Sequence, residues 1–174
     1  PQEIEPIPAP LRFDLWLGPR RHRPYHGAYG HFIWRGWWDF GTGALGDMGC
    51  HTLNMPFMGL DLRNPSKVTA ETSGHNNDSY PSWSIVHYEF PRYKGRPALQ
   101  RHWYDGNKKP SADLLDGRQL DGSGSLLIGD KGKIYIPGDY GSGGQVIGGV
   151  DVGEVEYEKS PGHFAEFVRA IREG

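Results

Sequence analysis

The stretch Asp47-Met48-Gly49-Cys50-His51 holds the densest set of reactive side chains in the sequence. On a helix, a carboxylate and an imidazole four residues apart share one face, about one turn apart. That pairing suits acid/base work, because an imidazole titrates near neutrality and a neighbouring carboxylate can orient the ring or favour its protonated form. The same spacing also makes a plain ion pair on a solvated helix. Gly43, Gly46 and Gly49 tip the balance toward chemistry, since each lowers helix propensity by up to about 1 kcal/mol. A glycine at every third position suggests that another backbone or a ligand packs closely there. Cys50 adjoins His51, but neighbours on a helix point about 100° apart and cannot easily form a dyad. Cys50 is therefore expected to be a small buried apolar group.

Arg35, Trp37 and Trp38 precede this stretch. Indole faces stack on the C–H surfaces of sugar rings, and a guanidinium hydrogen-bonds hydroxyls or a carboxylate; core aromatics under a loop are the alternative. Tyr25 and His26, with Tyr29, are candidates for the same mouth. A competing reading makes His22, His26 and His31, with Asp47 or His51, the metal site of a free-standing hydrolase or lyase. Arg20, Arg21, Arg23 and Arg35 in the same segment oppose it, because a cluster of cations repels a metal ion. Residues 74–78 read as a polar turn, with substrate contact as a second option, and Lys108 as a solvated turn residue.

These side chains need elements to hold them. Leu45, Met48, Leu53, Phe57 and Leu60 recur at offsets of three and four, apart from one five-residue gap, which predicts a helix within 41–60 with Thr42 as its N-cap. Leu11 to Leu17 can hold a short helical turn before Gly18-Pro19 breaks it. Strands are expected at 67–72, 83–90, 98–104, 124–129 and 133–136, where β-branched or aromatic runs end at turn residues. Asp130-Lys131-Gly132 reads as a hairpin loop with glycine placed for a positive φ, and a weaker strand is expected at 152–157. His163 to Arg172 is amphipathic, with Phe164, Phe167, Val168 and Ile171 on one face. Short loops between successive strands favour antiparallel pairing. The fold class is α+β: an open, mostly antiparallel sheet with helices packed on one face.

The 174 residues suit one domain, introduced by a Pro-rich, linker-like leader over 1–10. A net charge of -2 gives no attraction for nucleic acid or an anionic membrane surface. A lone cysteine excludes an internal disulfide framework. No apolar run reaches the roughly 20 residues that cross a bilayer. No targeting segment opens the sequence, so the default compartment is the cytoplasm, with the signal of any exported parent lying ahead of Pro1.

Gly41-Thr42-Gly43-Ala44-Leu45-Gly46-Asp47-Met48-Gly49-Cys50-His51-Thr52-Leu53-Asn54 resembles the glycine-rich helix of the Gfo/Idh/MocA oxidoreductases. Leu15-Trp16-Leu17-Gly18-Pro19, residues 35–40 and residues 160–164 are similar to a bacterial subgroup common in planctomycetes. The resemblance implies a substrate-binding and oligomerisation domain, partnered by a Rossmann domain that binds NAD or NADP. It implies His51 as acid/base toward a sugar or cyclitol hydroxyl, Asp47 as its partner, and a homo-oligomer formed through the sheet. Asn54 stands where the family commonly has Asp. The G-x-G-x-x-G spacing occurs at Gly41 to Gly46, where it opens the Asp47/His51 helix with no expected strand before it; the glycines at 141–144 follow no βαβ unit, and no Glu-Lys-Pro segment is present. The chain is therefore expected to be a piece of a longer two-domain protein that does not bind the cofactor unaided. A non-catalytic carbohydrate-binding or dimerisation domain is the third reading.

Overall fold

The computed structural model describes residues 3–141 and 143–174. Pro1 and Gln2 of the leader, and Ser142 of the glycine run, lie outside the described residues. The order is α1 (Phe13–Leu17), α2 (Gly43–Thr52), α3 (Asn54–Gly59), β1 (Lys67–Thr72), β2 (Ser84–Phe90), β3 (Leu99–Tyr104), β4 (Gly124–Ile128), β5 (Lys133–Pro137), β6 (Gln145–Ile147) and α4 (His163–Glu173). Short 3-10 turns at Gly27–Tyr29, Ile33–Gly36 and Ala112–Leu115 fill the connections. The architecture is α+β and antiparallel throughout, but the strands divide into two three-stranded sheets, β1-β2-β3 and β4-β5-β6. No described helix is long and apolar enough to cross a membrane.

In the first sheet β2 is central, and its buried Val86 and Phe90 share a face with Trp103 of β3. Phe57 of α3 meets the Phe90 ring at 6.2 Å, perpendicular to it, and so covers this face. A second core forms around Leu115, Tyr135 and Ile147 beneath the other sheet. Phe13, Leu17 and Tyr29 make a third, ringed by Leu11, Trp16, Tyr25, Trp37 and Phe40.

The expected 41–60 helix is two helices, broken at Leu53, the residue that closes the five-residue gap in the apolar spacing. Pro56 explains why the break is tolerated. Proline has no amide hydrogen, so the Thr52 carbonyl four residues earlier has no helical partner. The Ser125 hydroxyl of β4 donates to that carbonyl and thereby ties α2 to the second sheet. Thr42 occupies the N-cap position, but its side chain caps nothing. It lies instead over Gly46, where an added Cβ would come within 2.4 Å of it.

Three further expectations are corrected. Residues 152–157 form no strand: their alternation is present, but no neighbouring strand pairs with them. Neither Gly129 nor Gly132 has a positive φ; Gly132 is needed for space, because a Cβ there would sit 2.6 Å from Val150. The helix α4 forms as expected but covers no sheet face, since Phe164 is 91% and Phe167 68% exposed.

The outward face of the first sheet carries a chain of titratable groups. His87 and His102 are cross-strand partners whose Nδ1 atoms lie 2.7 Å apart, and His87 Nε2 is 3.0 Å from Glu71 Oε1. With both rings neutral, His87 donates to Glu71 and accepts from His102, so every contact is satisfied. Burial, then the neighbouring His87 and Arg101, hold His102 below the usual imidazole range. A folded value below the unfolded one means that the unfolded chain binds the extra proton. This contribution to stability is complete above the unfolded value of about 6.5 and is lost as pH falls through the folded value. Thermal melts are expected to show Tm falling from about pH 7 to about pH 5, with a shallower fall in His102→Gln. An equally steep fall in that variant would contradict this assignment.

Candidate functional site

The loop before α2 is built to double back. An added Cβ at Gly41 would meet the Arg35 carbonyl at 2.4 Å, so only glycine lets the two strands of this loop close. Gly43 has φ +65°, and a Cβ there would come within 2.5 Å of the Tyr80 ring. Gly49 is merely snug, at 3.3 Å from Leu45 and 3.4 Å from Leu53. The glycines are thus explained by the chain's own packing, without a ligand.

Tyr80 is held in turn by the strand of backbone before α2. Its ring stacks on Trp38 at 3.7 Å, its amide donates to the Gly36 carbonyl, and its hydroxyl donates to the Gly41 carbonyl. Burial pushes the Tyr80 phenol up. The 74–80 turn is organised by Asn76, whose Oδ1 accepts from the amides of Asp78 and Ser79. Trp38 donates its indole N–H to the Ser79 carbonyl. Trp38 is therefore a partly exposed platform fixed on one edge.

Sequence spacing suggested Asp47 as the partner of His51, whereas the structure gives Asp47 to Arg35. The Arg35 Nε lies 2.9 Å from one carboxylate oxygen and 3.1 Å from the other. The Arg35 guanidinium also sits over the Phe32 and Trp34 rings, at 4.2 and 4.7 Å from their centroids. Arg35 and Asp47 together clamp the Ile33–Gly36 turn to α2. His51, one turn on, is exposed and makes no hydrogen bond among the described residues. Its ring meets Tyr140 edge-on at 5.0 Å.

His51 lies where the parts of the fold converge. Thr52 beside it anchors to Ser125 of the second sheet, and Phe57 six residues on packs against the first. Met55 sits against Gly141, next to Tyr140. His51 is thus open to a molecule in solution, on a helix fixed from several sides.

Trp37, Tyr25 and His26 do other work. Trp37 donates to the Ala28 carbonyl at 2.8 Å and packs against the core of Phe13, Leu17 and Tyr29. Tyr25 meets Phe13 edge-on at 5.1 Å. His26 Nδ1 accepts from the Ala28 amide while Nε2 faces Glu5 at 3.1 Å, so both nitrogens are committed. No group of three or more His, Cys, Asp or Glu among the described residues is arranged to hold a metal ion. Cys50, expected to be buried, is exposed, with its thiol 3.6 Å from the Asp47 carbonyl: α2 buries Gly43, Gly49 and Thr52 and leaves Cys50 on its open side. Lys108 lies over the Trp83 ring at 4.4 Å.

The sequence reading missed Arg23, the organiser of this region. It donates to both oxygens of Asp78, at 2.9 and 3.1 Å, and to Asp39 at 3.2 Å, and its guanidinium lies 4.5 Å over the Tyr29 ring. Burial alone would lower its pKa, yet the Asp78 hydrogen bonds, with Tyr29, Asp78 and Asp39 charges adding, raise it. Partners 16 and 55 residues away leave no periodic signal in the sequence.

Gly141 is followed by β6, which pairs antiparallel with β5, so no helix N-terminus is present there to receive a pyrophosphate. Residues 2–142 match a family model described as the oxidoreductase family, C-terminal alpha/beta domain, of the Gfo/Idh/MocA group. No curated protein matches the chain.

Proposed function

Because the chain belongs to the Gfo/Idh/MocA oxidoreductase family as its C-terminal alpha/beta domain, we propose that it is the substrate-binding and catalytic-base domain of an NAD(P)-dependent enzyme acting on a sugar or cyclitol hydroxyl. The observation that carries this reading is His51: an exposed imidazole with no hydrogen bond among the described residues, on a helix anchored at Thr52 and Phe57. Oxidising a carbinol requires that its hydroxyl proton leave as hydride departs from carbon, and a positioned imidazole takes that proton. The nicotinamide, held by a partner Rossmann domain, supplies the hydride acceptor.

Asp47 acts indirectly in this scheme. Fixed by Arg35, it sets negative charge one turn from His51 and faces the substrate's neighbouring hydroxyls. Trp38 offers the aromatic surface, with Arg35 beside it. Trp37, Tyr25 and His26 support the site from behind. The same reading gives the first sheet to a homo-oligomer contact, supported by β1, all six of whose residues are exposed.

Titrating the chain with NADH and NADPH, followed by nicotinamide fluorescence, tests the division of labour. The expected result is no stoichiometric binding by this chain alone, and polyol-dependent reduction of NAD or NADP once a Rossmann domain is joined to it. Tight binding by the chain alone, or no reduction with any sugar or cyclitol, would overturn the proposal.

A further inference from the structure

A cleft separate from the His51 face opens beside α1. Its cavity is about 330 Å³, bordered by Trp16, Gly18, Arg20, Trp34, Asp39 and Phe40, near the lower end of small-molecule sites at roughly 300–1,000 Å³. Its shape follows from the sequence. Gly18, at φ 58° and ψ −130°, turns the chain sharply off the end of α1 in a conformation open to glycine. Trp16 is held on the inner side by Phe40, edge-on at 4.6 Å.

The polar groups at this cleft are not used up by the protein. Trp37, Trp38 and Trp103 each donate the indole N–H to a protein oxygen. Trp16 and Trp34, the two that border the cleft, make no such bond among the described residues. Arg20 and Asp39 face each other at 3.8 Å, beyond hydrogen-bonding distance, and the Arg20 guanidinium donates no hydrogen bond among the described residues. Asp39 accepts from Arg23 through Oδ2, while Oδ1, the oxygen facing Arg20, accepts none.

We propose that this cleft binds an uncharged pyranose or cyclitol ring, stacked on Trp16 and Trp34 and hydrogen-bonded through its hydroxyls to Arg20 and Asp39. The class follows from the chemistry of the walls. Arg20 and Asp39 offer donors and an acceptor of opposite charge, so an anion meets Asp39 and a cation meets Arg20 unfavourably. A neutral ligand with hydroxyls at its rim and C–H groups on its faces satisfies both the polar pair and the indoles. Trp34 also contacts the Arg35 guanidinium, so the cleft borders the Arg35–Asp47 clamp. The cleft thus acts as a second sugar subsite next to the reacting one. This rests on the sugar reading under Proposed function.

The test is calorimetric titration of this chain with D-glucose, D-galactose and myo-inositol, alongside NMR of the indole N–H signals. At least one of the three is expected to bind and to shift Trp16 and Trp34 while leaving Trp37 and Trp103 unmoved. Trp34→Ala and Arg20→Ala are expected to weaken binding at least tenfold, and Lys131→Ala, an exposed change on the β4–β5 loop, to leave it within twofold. Arg20 lies at the mouth and is half exposed, so its variant keeps the test valid should Trp34→Ala fold poorly. Binding that survives both cleft variants but is lost in His51→Ala would overturn the cleft and leave the sugar reading standing. No binding of any of the three would overturn the cleft, while polyol oxidation by the two-domain enzyme would still decide the proposed function separately.

Discussion

Replacing His51 with Asn is expected to cut turnover of the two-domain enzyme by about 10²–10⁴-fold, the usual share of a positioned acid/base. The loss should appear in kcat with little change in KM, because a proton acceptor matters most when the proton moves. Folding should be nearly untouched. The ring is exposed and meets only Tyr140 among the aromatic contacts, and surface changes of this kind stay within about 0.5 kcal/mol. Turnover assays beside thermal melts of the same preparation check both halves. Asp47→Asn should do less, because Asp47 is tied to Arg35 rather than to the imidazole. A full-size loss from Asp47→Asn and none from His51→Asn would reverse the roles.

The largest effect on stability is expected at Arg23. Its side chain is 18% exposed, and it answers two carboxylates as well as the Tyr29 ring. Arg23→Ala removes the cation and leaves Asp39 and Asp78 facing one another with only the distant Arg20 nearby. Breaking a buried pair on one side costs about 3–5 kcal/mol; with both carboxylates 42% exposed to water, the lower end, about 3 kcal/mol, is expected. For a chain of this size that corresponds to a Tm drop of about 6–12 °C. Arg23→Lys should recover only part, because a single ammonium cannot grip both oxygens of Asp78. Arg20→Ala, at the half-exposed end of the same network, should shift Tm by no more than a degree or two on the surface-substitution scale. An Arg23→Ala protein melting with the parent would remove Arg23 as organiser.

The regular elements were the legible part of the fold. The runs at 67–72, 83–90, 98–104, 124–129 and 133–136 became β1 to β5 within a residue or so, because each is β-branched or aromatic and stops at a turn residue. The three-residue β6 sits among glycines and is too short to show a period. The Val152-to-Tyr157 alternation misled because alternation describes one strand, whereas a strand forms only with a neighbour to pair with. The same limit applies to the site. The i, i+4 spacing of Asp47 and His51 placed both on α2, yet the closer partner of Asp47 came from Arg35, 12 residues away. Glycine at 43 and 46 signalled close approach correctly, but the approaching groups are Tyr80 and Thr42. Trp37 and Trp38 adjoin in sequence and differ in task because one indole N–H turns inward to Ala28 and the other outward to Ser79.

Rescue of His51→Ala by free imidazole is the sharpest measurement available. In the two-domain enzyme, with nicotinamide absorbance read against added imidazole, turnover of the variant should rise with imidazole and saturate, while the parent enzyme shows no such gain. A variant that turns over at the parental rate without imidazole would contradict His51 as the group that takes the proton.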